Sequence, residues 1–114
     1  MNWLPIESLA DLNKAVEDSN MEETKAVLIF KHSTRCAISS TAKFRLESFW
    51  ENDENFPTYY LDLIKFRELS NKIANDFNVR HESPQALVIK GGKCIYHSSH
   101  LSISVKNIFA LVKN

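Results

Sequence analysis

Glycine and proline are scarce in this chain, with two and three among 114 residues. That leaves little room for long flexible linkers, and no repeat or low-complexity tract interrupts the pattern. Cysteine is scarce too, at positions 36 and 94 only. Disulfide-stapled secreted domains of this size carry more, so the count predicts reduced thiols and a cytoplasmic setting. Net charge is also missing, because 14 basic residues balance 14 acidic ones. No field of one sign then draws the chain to nucleic acid or to an anionic membrane. No apolar run approaches the ~20 residues that span a bilayer. The start, Met1-Asn2-Trp3-Leu4-Pro5-Ile6-Glu7, has neither the basic nor the apolar stretch of a secretory signal. Neither C-x-x-C nor H-E-x-x-H occurs, so the four histidines predict no metal site. One domain over residues 1–114 is expected.

What is present is a regular alternation of helical and strand patterns. Ser8-Leu9-Ala10-Asp11 reads as a helix start, and Leu9, Leu12 and Val16 share one face of a helix ending near Ser19-Asn20. Val27 to Lys31 reads as a buried strand. Ile38, Ala42, Leu46, Phe49 and Trp50 then fall at helical spacing, up to a stop near Asn52-Asp53. Thr58 to Leu63 is a second strand, and Leu69, Ile73, Ala74 and Phe77 mark a third helix closed by Asn78. Gln85 to Lys90, a Gly91-Gly92 turn and Lys93 to His97 read as a hairpin. Ser104 is a candidate N-cap for a last helix that buries Val105, Ile108, Phe109 and Val112. The order predicts an α/β thioredoxin-like fold, a central mixed four-stranded sheet with helices on both faces.

Cys36 lies where the first strand hands over to a helix. A sulfur at a helix N-terminus faces unpaired N–H groups, which favours thiolate over thiol. Arg35, His32 and Lys31 add nearby positive groups. Three residues on, where a dithiol oxidoreductase has its second cysteine, stands Ser39. Ser39 reads either as a donor to the thiolate or as a routine first-turn serine.

The string Lys31-His32-Ser33-Thr34-Arg35-Cys36-Ala37-Ile38-Ser39, followed by Ser83-Pro84, the Gly-Gly hairpin and a C-terminal helix, resembles the thioredoxin superfamily. More narrowly, its T-x-C-x-I-S motif resembles the monothiol bacilliredoxin family. The resemblance covers essentially the whole chain and implies bacteria that use bacillithiol as their small thiol. It also implies an activity, removal of bacillithiol from mixed disulfides on client proteins. Cys36 matches the attacking cysteine, flanked by Thr34 and Arg35, and Ser39 the motif serine. Pro84 matches the fold's cis-proline, with Ser83 presenting its backbone to an extended substrate. In that fold Gly91-Gly92 and Cys94 lie at the far end of the sheet, too distant for a disulfide to Cys36. The fourth strand then returns Ser98, Ser99 and His100 to the active-site side, as groove lining or as a plain polar loop. Bacillithiol is implied as co-substrate with no permanently bound cofactor. The implied partners are bacillithiolated clients and a bacillithiol-disulfide reductase system. The chain departs from dithiol thioredoxins in having no acid in the strand before the cysteine. Two other readings of a single cysteine here are an iron–sulfur carrier like the monothiol glutaredoxins and a non-catalytic binding module.

Overall fold

The computed structural model describes residues 1–112. The elements run β1 (Trp3–Pro5), α1 (Leu9–Ser19), β2 (Val27–His32), α2 (Ala37–Phe49), β3 (Thr58–Asp62), α3 (Arg67–Phe77), β4 (Gln85–Lys90), β5 (Lys93–Ser99) and α4 (Val105–Val112). A short 3-10 turn, His100–Ser102, precedes α4. The sheet order is β1-β3-β2-β4-β5. β1, β3 and β2 are parallel, and β4 and β5 are antiparallel to their neighbours. This is the thioredoxin arrangement with five strands rather than the expected four. The additional strand is three residues long and ends in Pro5, too short to show a period of two. Edge position accommodates the missing proline N–H.

Each helix buries the stripe that its period allows. In α1 that stripe is Leu12, Ala15 and Ser19, while Leu9 is half exposed. Ser8 caps the helix by accepting the Asp11 N–H at 3.1 Å, so Leu9 occupies the first turn at the helix tip. α2 buries Ser39, Ala42 and Leu46 and ends at Phe49, three residues before the expected stop. Trp50 turns into extended backbone and packs against Phe56 and Phe109. Ile38 and Phe49, expected on the buried face, are exposed. α3 stops at Asn78, whose φ of 54° is left-handed and releases the Val79 N–H to the Ala74 carbonyl at 3.0 Å. At the β4–β5 turn Gly91 and Gly92 have φ of 61° and 74°. Ser19 ties this turn to α1 by accepting both glycine N–H groups, at 2.8 Å on its carbonyl and 3.0 Å on its hydroxyl.

The sheet carries two apolar layers. Leu12, Ile29, Leu61, Ile73 and Leu87 form one, under α1 and α3. Leu28, Phe30, Leu46, Val88 and Ile108 form the other, under α2 and α4. β2 lies at the centre, and all six of its residues are buried. Its last two side chains, Lys31 and His32, are therefore ionisable groups held inside the protein. Lys31 points to the α3 side, where its ammonium donates to the Ser70 carbonyl at 3.0 Å and to His81 Nδ1 at 3.3 Å. Burial lowers its pKa to about 8.

Two expectations about stability follow. Asn78→Ala removes a residue that tolerates the left-handed region and should cost about 1 kcal/mol in urea unfolding, whereas Asn78→Gly should be nearly neutral. For Lys31, the unfolded chain holds the proton more tightly than the fold does. Below about pH 8 the fold bears the full cost of burying the ammonium, and that cost falls as pH rises toward 10.5. Cys94 and Tyr60, whose pKa values burial raises, act in the opposite sense, so a variant must be compared with the parent at each pH. Lys31→Met should lose a stability gain on the order of 1.5 kcal/mol between pH 8 and 9.5. Parallel stability–pH curves for parent and variant would refute that assignment.

Candidate active site

The C-terminal end of β2 sets the site. His32, its last residue, accepts the Leu63 N–H on its carbonyl at 3.0 Å, which extends the β2–β3 pairing past the strand. The chain then makes one tight turn, with the Cys36 N–H donating to the Ser33 carbonyl at 3.2 Å. Cys36 is the N-cap residue of α2, in extended backbone, and its carbonyl accepts the Ser40 N–H at 3.1 Å. The first N–H groups of an α-helix have no intrahelical partner, and Cys36 stands at that end of α2. Its thiol is unpaired and partly exposed. Thr34 and Arg35 are exposed on the same turn.

Ser39 lies in the first turn of α2, three residues after Cys36, and is fully buried. Its hydroxyl accepts the Ser33 N–H at 3.0 Å and shares a hydrogen bond of 2.6 Å with His32 Nδ1. No hydrogen bond joins it to Cys36. His32 stacks on Phe30 and lies against the Tyr60 ring, at centroid separations of 5.8 and 5.6 Å. Burial, and after it the Lys43 ammonium, lowers its pKa from 6.5, partly opposed by Asp62 and Glu47. The imidazole is therefore neutral at neutral pH. Lys31 is committed to Ser70 and His81 on the other face of the sheet. Of the three positive groups expected near the sulfur, Arg35 alone remains a charged side chain of the cysteine turn.

A second wall comes from the start of β4. The Ser83–Pro84 peptide is cis, as the resemblance implied. Lys31 is in register with Gln85, and Gln85 with Ser99, so the cysteine turn, Pro84 and the end of β5 share one end of the sheet. The Pro84 carbonyl accepts the His100 N–H at 3.0 Å and joins the two outer pieces of this wall. Ser83 is half buried with no partner for its hydroxyl. Ser99 is half buried, whereas Ser98 is buried on the α2 side with its hydroxyl unpartnered.

Cys94 lies at the other end. It is in register with Ile89, which pairs with Val27, the first residue of β2. Five residue steps lead from Val27 to His32, roughly 17 Å, so the two sulfurs cannot be bridged. Burial pushes the Cys94 thiol up, and its Sγ donates to the Tyr96 carbonyl at 3.3 Å. Two clefts of about 680 Å³ lie elsewhere, one beside Trp50 and Asp53, the other between α2 and α4. Cys36 lines neither of them. Among the described residues no three His, Cys, Asp or Glu side chains are grouped to hold a metal, and no helix is long and apolar enough to cross a membrane.

Sequence reasoning placed His32 near the sulfur as a positive group and missed its hydrogen bond to Ser39. Its bond to Ser39 spans a strand end and a helix turn, and no helical or strand spacing marks such a pair.

The comparisons agree with this geometry. A family model described as monothiol bacilliredoxin BrxC matches residues 4–108. A solved structure described as a candidate oxidoreductase with a thioredoxin fold is 30% identical, with a TM-score of 0.81, covering 97% of this chain and 94% of that one. Thioredoxin from Trypanosoma brucei brucei is 10% identical at a TM-score of 0.78, covering 99% and 93% of the two chains. Thioredoxin from Malassezia sympodialis is 13% identical at 0.72, covering 98% and 88%. The latter two speak to the fold alone. The chain belongs to the monothiol bacilliredoxin family and is, in general terms, a thioredoxin-fold thiol–disulfide oxidoreductase.

Proposed function

We propose that this chain removes bacillithiol from mixed disulfides on client proteins in the cytoplasm, with Cys36 as nucleophile. The observation that carries the reading is a single accessible thiol at the N-cap of α2, in a monothiol bacilliredoxin, with no second thiol at its end of the sheet. The Cys36 thiolate attacks the bacillithiol sulfur of the client disulfide. One S–S bond forms between Cys36 and bacillithiol as the client S–S bond breaks. The electron pair leaves with the client sulfur, which takes a proton from water. A free bacillithiol thiolate then attacks the bacillithiol sulfur on Cys36. That step restores the Cys36 thiolate and releases bacillithiol disulfide, which a dedicated reductase returns to thiol.

The second step must come from outside. Residue 39 offers a buried hydroxyl, and Cys94 lies at the far end of the sheet. Thr34 and Arg35 flank the sulfur and face solvent, where they contact the client or the sugar portion of bacillithiol. Ser83, Pro84 and Ser99 form the opposite wall, along which an extended client segment adds as a strand. Bacillithiol is a co-substrate here, and no permanently bound cofactor takes part. Nucleic acid and membrane are not among the partners.

Incubation with a bacillithiolated client, followed by mass spectrometry, should place one bacillithiol on Cys36 and none on Cys94. Cys36→Ser should abolish release, whereas Cys94→Ser should leave the rate unchanged. Undiminished release by the Cys36→Ser variant would reject the reading.

A further inference from the structure

We propose that His32 is a positioning residue for Cys36, acting through Ser39, and that the serine stands in the motif to bind His32 rather than as the remnant of a second thiol. This rests on Cys36 being the reactive sulfur.

A serine hydroxyl has one proton to donate and two lone pairs to accept with. The Ser33 N–H fills one lone pair at 3.0 Å, and His32 Nδ1 takes the next place at 2.6 Å. Both partners belong to the segment leading into the cysteine. The Ser33 carbonyl in turn accepts the Cys36 N–H at 3.2 Å. A continuous path therefore runs from the His32 ring through Ser39 and Ser33 to the Cys36 backbone. It pins the turn from inside, where Ser39 is fully buried and His32 is 5% exposed. A thiol in place of the hydroxyl is larger and a weak acceptor, so it cannot serve both partners at these separations.

His32 is itself held in place. Phe30 from β2 and Tyr60 from β3 flank the ring. The charged groups that face it are Lys43 and Glu47 from α2 and Asp62 from β3. Neutral imidazole can accept the Ser39 proton at Nδ1. Imidazolium cannot, because both of its nitrogens carry protons. Where the neutral ring carries its proton on Nε2, protonation therefore reverses the hydrogen bond and frees the Ser39 proton, and it adds a positive charge behind the cysteine turn. The reactivity of Cys36 should register that change at a pH below 6.5, since the surroundings of His32 lower its pKa.

The test is the rate of Cys36 alkylation by iodoacetamide, followed by mass spectrometry from pH 5 to 9 on the full chain. His32→Phe should slow the reaction at pH 7 by roughly fivefold, the worth of one hydrogen bond, and Ser39→Ala, which also removes the acceptor of the Ser33 N–H, by at least as much. The double variant should be no slower than Ser39→Ala alone, because that change already removes the His32 contact. The parent profile should show an inflection below pH 6.5 that His32→Phe lacks. His32→Asn keeps a polar group near the Nδ1 position and should recover the rate without the inflection. It also guards against a general loss of folding in the phenylalanine variant. Additive losses, or an acid inflection that survives His32→Phe, would overturn the proposal. Alkylation needs no bacillithiol, so a chain that behaves as expected here yet releases none from a client would reject the proposed function and leave this role standing.

Discussion

β2 is buried along its whole length, and it ends on Lys31 and His32. Buried ionisable groups are costly unless they find partners, so the end of this strand dictates what must surround it. Alternation sends the two side chains to opposite faces. Lys31 meets Ser70 of α3 and His81 of the loop that leads to Pro84. His32 meets Ser39 of α2 and, through it, the cysteine turn. The two walls of the candidate site are thus each fastened to the same strand end, one through each face.

This arrangement recasts the chain's relation to dithiol thioredoxins. The strand before the cysteine has no acid, and its buried polar group on the α2 side is a neutral imidazole. The position of a second thiol is taken by a hydroxyl that bonds that imidazole and a backbone N–H. Replacing a cysteine by serine alone does not account for such a site. His32 and Ser39 form a matched pair, and their contact turns an absent sulfur into a support for the remaining one.

The remaining cysteine, Cys94, shows how far chain position is from chemistry. Its thiol sits beside the Gly91-Gly92 turn at the opposite end of the sheet, where burial disfavours its thiolate. Cys36 caps the N-terminus of a helix, whereas Cys94 lies within β5.

Much of the fold was legible in the residue pattern. β4 falls at Gln85–Lys90 as its apolar run indicates, the Gly-Gly turn sits where two positive φ angles are needed, and Asn78 closes α3 in the left-handed region. Cys36 was legible too, because the handover from an apolar strand to a helix is a local signal. Less was legible where local signals are weak. β1 is too short to show a period, and Ile38 and Phe49 match helical spacing yet face solvent, because Ser39 occupies the buried stripe of α2. By itself the sequence determined the order of elements after β1, the place of one thiol at the strand–helix handover and the absence of a second one three residues on. Only the tertiary structure decided that Lys31 and His32 are interior groups and which residues receive them. The reason is physical: periodicity and turn chemistry act over a few residues, whereas a buried proton donor finds its acceptor across separations of 7 and 39 residues once the layers have packed.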